Sequence, residues 1–276
     1  MTLPYLIPKR IIQTGKSANL PLKEQAAVAS LRHLNPTFEY MFFDDRQVED
    51  FIDQYYPSYR SVFESFRFKI QKFDFFRYLA VHQFGGFYFD LDVFLARDLS
   101  ELAGCDAVFP FEGLTMSRHL RRNLHMDWQI GNYGFGATPR HPFLLALIQN
   151  CVRAQSDPQW VEPMMRGVPP LSRDEFFILN TTGPGLVSRT LAEQPELAAH
   201  MKILFPEDVC DIRAWNQFGD IGVHLMDGSW RMGGSFLRRR VAQRWEVWAM
   251  ERLIRESRQM GKTRSLPRTD ADGAKR

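Results

Sequence analysis

Phe84-Gly85-Gly86-Phe87-Tyr88-Phe89-Asp90-Leu91-Asp92 joins a glycine pair to an apolar run that ends in two carboxylates. Before the glycines, Lys69 to Phe84 carries Ile70, Phe73, Ala80, Val81 and Phe84 at three- and four-residue steps, the period of a helix, and Gly85-Gly86 stops it. After them the period drops to two. Phe87, Phe89 and Leu91 fall on one face of a predicted strand and Tyr88, Asp90 and Asp92 on the other. Carboxylates one residue apart on a strand have α-carbons roughly 6.6 Å apart, so both can face one ligand. A hard divalent cation takes oxygen ligands, and a diphosphate offers more, so carboxylate, metal and phosphate can stack in that order. An isolated Asp-x-Asp is a weak signal, but the apolar flanks make a solvated loop a poor reading of this one.

Working outward, Arg10 to Thr14 reads as a buried strand. Leu22 to Leu34 reads as a helix stopped by Asn35-Pro36, and Phe38 to Phe43 as a second strand. Strand, helix, strand opens a parallel sheet. The carboxylate pair then sits at the C-terminal end of a parallel strand, where open α/β sheets hold their ligands. Arg46 to Tyr55 and Pro142 to Ala154 read as helices, Ser188 to Glu193 as a short one, and Val108 to Phe111, Asn132 to Ala137 and Lys202 to Phe205 as strands. Ser156 to Ser172 is proline-rich and reads as a long surface loop, a candidate lid. On the 69–84 helix Asp74 and Arg77 stand three apart and share a face. They read either as a structural ion pair or as a pair that orients the hydroxyls of a bound sugar.

The chain has 276 residues, 45% hydrophobic and 24% charged, the balance of a folded protein rather than a disordered or fibrous one. Cys105, Cys151 and Cys210 are odd in number and form no CxxC pair, which argues against a disulfide framework or a zinc cage. The net charge of +3 divides unevenly: from Leu237 onward there are 12 Lys/Arg against 5 Asp/Glu. Leu237, Val241, Trp245, Trp248, Ala249 and Leu253 form an apolar stripe flanked by arginines. That predicts a basic amphipathic helix over residues 237–260, either docked on the domain or lying on an anionic membrane, followed by a disordered basic tail over 261–276. Without interleaved aromatics or a recognition motif, no nucleic-acid partner is expected. The short N-terminal apolar stretch lacks the features of a signal peptide, and no apolar run spans a bilayer. The expected setting is cytoplasmic, with peripheral contact to the inner face of the cell membrane.

The run Lys72-Phe73-Asp74-Phe75-Phe76-Arg77-Tyr78-Leu79, followed by Phe84 to Asp92, resembles the sugar-binding region of the DXD glycosyltransferases of family 32. That family includes initiating α-1,6-mannosyltransferases and bacterial polysaccharide enzymes, and clostridial glucosylating toxins share a similar core. Ile7 to Thr14, Asn35-Pro36, Phe43-Asp44-Asp45, Asn132, His141-Pro142, Thr182-Gly183-Pro184 and His224 to Trp230 are similar to further family segments. The resemblance implies a GT-A type nucleotide-diphospho-sugar transferase fold, one catalytic α/β domain over residues 1–236 with a mostly parallel central sheet, and a retaining reaction. It also implies Mn2+ or Mg2+, a UDP- or GDP-linked sugar donor, and a saccharide or lipid-linked acceptor in surface polysaccharide synthesis.

Residue by residue, the resemblance implies that Asp90 and Asp92 hold the metal with His224. Gln13 and Thr14 lie near the nucleotide, Asp74, Arg77 and Asn132 line the sugar pocket, Ser229 and Trp230 approach the phosphates, and Asp227 is a possible catalytic helper. An imidazole ligand at His224 favours manganese over magnesium. Ile12 and Gly15 stand where the family usually has His and Trp, which leaves the base preference open. Two rival readings remain: a haloacid-dehalogenase-type phosphatase acting through Asp90 and Asp92, and a nucleotide-sugar-binding protein without turnover. The first fits Asp90-Leu91-Asp92-Val93 locally, but that motif usually opens its domain, whereas a third of this chain precedes it.

Overall fold

Three short runs of β-branched and aromatic residues, β1 (Arg10–Thr14), β2 (Glu39–Phe43) and β3 (Gly86–Phe89), lie parallel in the computed structural model of the chain, which describes residues 6–225, 247–256, 258 and 259. Their register sets Ile11 beside Phe87 and Thr14 beside Phe43. The crossover from β1 to β2 is α1 (Leu22–Leu34); α2 (Asp45–Tyr55), α3 (Arg60–Ser65) and α4 (Lys69–Phe84) lead from β2 back to β3. Asp44 caps α2, its side chain accepting from the Gln47 amide at 2.9 Å. After β3 come β4 (Val93–Leu95), β5 (Ala107–Leu114), α5 (Arg118–Asn123), β6 (Trp128–Ile130) and β7 (Gly134–Ala137). Then follow α6 (Pro142–Ser156), α7 (Pro158–Met165), α8 (Arg173–Thr181), α9 (Pro184–Glu193), β8 (Lys202–Leu204), β9 (Gln217–Phe218) and β10 (Gly222–His224).

The main sheet has seven strands in the order β2-β1-β3-β7-β5-β6, with β8 also on β5, and β4, β10 and β9 form a small second sheet. The class is α/β, as the sequence indicates. β1, β2 and β3 are parallel and β8 is parallel to β5; β7 enters antiparallel between β3 and β5. Two antiparallel steps make β5 run in the same direction as β3, so their C-terminal ends share one edge of the sheet.

Alternation along the strands sends side chains into two cores. Ile12 and Tyr88 join the cluster under α4, α6 and α9, whereas Ile11, Phe87 and Phe89 join the cluster on the other face with Leu31 of α1. At the α4–β3 junction Gly86 has φ +107°, and a Cβ there would stand 2.7 Å from the Arg10 carbonyl oxygen, so only glycine lets β3 start this close to β1. Gly136 is similarly crowded: an added Cβ would meet the Phe87 ring at 2.5 Å. Gly136→Ala is therefore expected to cost roughly 1–3 kcal/mol of stability, read as a lower denaturant midpoint with unchanged m.

Two expectations are corrected. The segment from Ser156 to Ser172 is not a loop but contains α7 and a 3-10 turn at Pro170–Ser172. Pro158 takes the first helical turn, where no amide is needed, and Asp157 caps it by accepting from the Trp160 amide at 3.0 Å, while Pro163 is carried inside the helix. β3 ends at Phe89, so Asp90 to Asp92 do not continue the strand; Leu91 and Asp92 form a turn in which the Val93 amide donates to the Asp90 carbonyl at 3.2 Å.

The chain divides into two units, Met1–Gly233 and Gly234–Arg276. In the second, residues 247–256 are helical, Arg252 pairs with Glu256 at 2.8 Å, and Trp248 is 54% exposed. Residues 237–246 of the amphipathic helix and all of 261–276 lie outside the described residues. Among the described residues no helix is long and apolar enough to cross a membrane.

Candidate active site

The turn after β3 and the end of β10 meet at the C-terminal edge of the main sheet. β10 pairs antiparallel with β4, placing His224 opposite Val93, and the Leu225 amide donates to the Asp92 carbonyl at 3.0 Å. Residues more than 130 positions apart in the chain thereby converge. One ligand atom each from Asp90, Asp92 and His224 lies within 4.8 Å of the others, with His224 Nε2 3.2 Å from Asp92 Oδ1. The side chains keep 26%, 18% and 14% of their surface, enough to be reached from solvent. Two carboxylates and an imidazole suit a divalent cation, and the residues fit the metal that the sequence resemblance implies.

Asp90 is fixed from behind. Its Oδ1 accepts from the Tyr88 hydroxyl at 2.8 Å, and Arg77 Nη1 stands 3.3 Å from the same oxygen. Arg77 reaches Asp74 through Nη2 at 3.1 Å, donates to the Asn132 carbonyl at 2.8 Å and lies over the Tyr88 ring. Asp74 accepts from the Thr182 hydroxyl at 2.8 Å and from Asn132 Nδ2 at 3.2 Å; Asn132 Nδ2 also contacts the Tyr78 hydroxyl at 3.0 Å. Asp74 and Arg77 are both only 4% exposed. Burial raises the Asp74 carboxyl above its ordinary value against the pull of Arg77 and Thr182. Burial works against the Arg77 charge as well, but Asp90, Tyr88 and Asp74 outweigh it and raise the guanidinium further.

Gln13, expected near the nucleotide, is 1% exposed and braces the turn. Its Nε2 lies 3.3 Å from the carbonyls of both Phe89 and Asp90, and its Oε1 accepts from the Tyr40 hydroxyl at 3.0 Å. Gln13→Leu removes the side-chain donor shared by those two carbonyls and the acceptor of the Tyr40 hydroxyl, and is expected to destabilise by about 1–3 kcal/mol and to lower turnover. Tyr40→Phe, which removes one bond, should do less in both a denaturation curve and an activity assay. Thr14 lies at the end of β1 with its hydroxyl buried and without a partner among the described residues. Asp227, Ser229 and Trp230 lie outside the described residues.

Three neighbours were not singled out in the sequence. Tyr88 could have been found, because it alternates with Asp90. Tyr133 stacks on His224 with centroids 4.4 Å apart, and its buried hydroxyl has no partner among the described residues. Glu112, a carboxylate inside the apolar run of β5, acts on both: its charge helps raise the Tyr133 hydroxyl after burial, and helps raise His224. At His224 burial pushes downward, but the Asp92 hydrogen bond and the charges of Asp90, Asp92 and Glu112 together outweigh it.

Residues 21–109 match the family described as the glycosyltransferase sugar-binding region containing the DXD motif. The matched segment includes Asp90 and Asp92, on which the phosphatase reading rests. The chain is similar to mannosyl phosphorylinositol ceramide synthase SUR1 of Saccharomyces cerevisiae, 29% identical over 185 residues that make up 67% of this chain and 42% of that protein. It is also similar to inositol phosphoceramide mannosyltransferase 3 of Schizosaccharomyces pombe, 33% identical over 147 residues, 53% of this chain and 38% of that protein. The chain thus spans well under half the length of these relatives. Among solved structures, the PaToxG glycosyltransferase aligns with 70% of this chain and 73% of its own, at 14% identity and a TM-score of 0.44.

Proposed function

We propose, on the premise that residues 21–109 form the sugar-binding region of a DXD glycosyltransferase, that the chain is a metal-dependent, retaining hexosyltransferase of GT-A type. Its donor would be a nucleotide diphosphate sugar and its acceptor a saccharide or lipid-linked hydroxyl. The observation that carries the reading is the convergence of Asp90, Asp92 and His224 ligand atoms within 4.8 Å beside the buried Asp74–Arg77 pair. The names of the relatives, both of which place mannose on an inositol-containing ceramide lipid, make mannose the first sugar to test and favour a lipid-linked acceptor.

A bound divalent ion would offset the charge that develops on the departing diphosphate. The chain's own residues supply position. Asp90, Asp92 and His224 would hold the ion, Arg77 and Tyr88 fix Asp90, and Asp74 and Asn132 hold Arg77, so the site is set before the donor arrives. The bond from the anomeric carbon to the phosphate oxygen breaks as the acceptor oxygen bonds to that carbon on the same face. The acceptor proton passes to the departing phosphate oxygen, and the nucleoside diphosphate leaves. Asp227 is proposed to assist the transfer. The chain would act as a cytoplasmic enzyme of surface polysaccharide synthesis at the inner face of the cell membrane, and the basic stretch from Leu237 supports the membrane contact.

A panel of UDP- and GDP-sugars, assayed with manganese for donor hydrolysis and for thermal shift, tests the reading. One donor should be hydrolysed and should stabilise the fold only with the ion present; activity untouched by EDTA would overturn the metal-dependent reading. His224→Ala should weaken manganese binding by roughly tenfold or more while the fold persists, as followed by titration calorimetry.

A further inference from the structure

Beyond β5 the chain turns through α5 before returning as β6, and because β5 runs parallel to β3 this connection lies at the same sheet edge as the Asp90–Asp92 turn. Residues 115–127 carry Arg118, Arg121 and Arg122 with His119 and His125, against Asp127 as the one carboxylate. Arg118 and Arg122 stand one helical turn apart and are both exposed. α7 brings a third exposed arginine: Arg166 follows it directly, and a Cβ on the next residue, Gly167, would lie 3.8 Å from the Arg118 guanidinium carbon. Ser117 Oγ meets Met164 Sδ at 3.5 Å, fixing α5 against α7. None of Arg118, Arg122 and Arg166 forms an ion pair among the described residues, whereas Arg173 nearby pairs with Glu162. Five residues after Arg166, beyond Pro169-Pro170, Leu171 is 55% exposed.

We propose that Arg118, Arg122, Arg166 and Leu171 form a docking surface for an anionic lipid bilayer, on the sheet edge that carries the candidate active site. Three uncompensated guanidinium groups complement a sheet of lipid phosphates, and each basic residue near such a surface adds to binding. Leu171 adds an apolar side chain that can enter the interface between headgroups and acyl chains. Nucleic acid fits less well, because residues 115–127 and 165–173 contain no Phe, Tyr or Trp ring on which bases could stack. The surface is separate from the basic stretch after Leu237. It rests on the transferase reading only for its consequence, which is to turn the site toward a lipid-linked acceptor.

The test is co-sedimentation of the full chain with phosphatidylcholine vesicles, with and without phosphatidylglycerol. The expected result is binding only to the anionic vesicles, falling on the order of a hundredfold in R118Q/R122Q/R166Q. L171S, with the arginines intact, should also bind less. Donor hydrolysis without lipid should remain at the wild-type level in every variant, so failure of docking and failure of the transferase reading can be told apart. Equal binding to neutral vesicles, a triple variant that partitions as the wild type does, or loss of single-stranded RNA binding alone in that variant would each overturn the proposal. If inorganic phosphate releases the chain from the vesicles while L171S binds normally, the site takes free phosphate and the bilayer assignment falls.

Discussion

Asp92→Ala is expected to reduce sugar transfer by at least about a thousandfold while leaving the unfolding transition nearly unchanged. Asp92 is partly exposed and its carboxylate meets His224, so its loss removes a proposed metal ligand without opening the core. Asp90→Ala should abolish transfer as completely, but at a visible cost in stability. Asp90 also accepts from Tyr88 and faces Arg77, and both of those groups are buried. The contrast between the two variants is the informative part. Activity assays alone cannot separate a ligand from a structural carboxylate, whereas activity combined with a denaturation curve can. If Asp92→Ala kept substantial manganese-dependent turnover, the ion would have to be held elsewhere and the proposed site would be wrong.

Much of this was readable because the period of the sequence changes sharply at the glycine pair. The helix over Lys69–Phe84, the start of the strand after it and the strand–helix–strand opening all follow from local spacing and stop signals, and the structure places them as expected. Local spacing failed at Ser156 to Ser172, where prolines that start a helix look the same as prolines that break one until the cap at Asp157 is seen. The side-chain alternation of Tyr88 and Asp90 was legible, but the turn that ends β3 was not, because Asp-Leu-Asp can extend a strand as readily as leave it. Thr182 lies 108 residues from Asp74, and only the folded sheet and the α8–α9 junction bring them together. Glu112 is of the same kind: one carboxylate in an apolar run looks like a solvated edge until β5 is placed beside the site.

Arg77→Ala is expected to destabilise the fold by about 3–5 kcal/mol, the usual cost of stranding one partner of a buried ion pair. Arg77 supplies donors to Asp74, Asp90 and the Asn132 carbonyl, and at 4% exposure water cannot replace them. The loss should fall on Asp74 above all, which would keep only Thr182 and Asn132 as donors. Arg77→Lys keeps a charge but not the planar fork that spans the two carboxylates, so an intermediate loss is expected. Asp74→Asn in the Arg77→Ala background removes the stranded charge and should recover part of the stability. Denaturant titrations of wild type, Arg77→Ala, Asp74→Asn and the double variant give the coupling energy directly. A value near zero would mean that the pair contributes nothing to the fold. Turnover should not recover with stability, because the double variant still lacks the guanidinium that fixes Asp90; a double variant with wild-type activity would remove Arg77 from the proposed machinery.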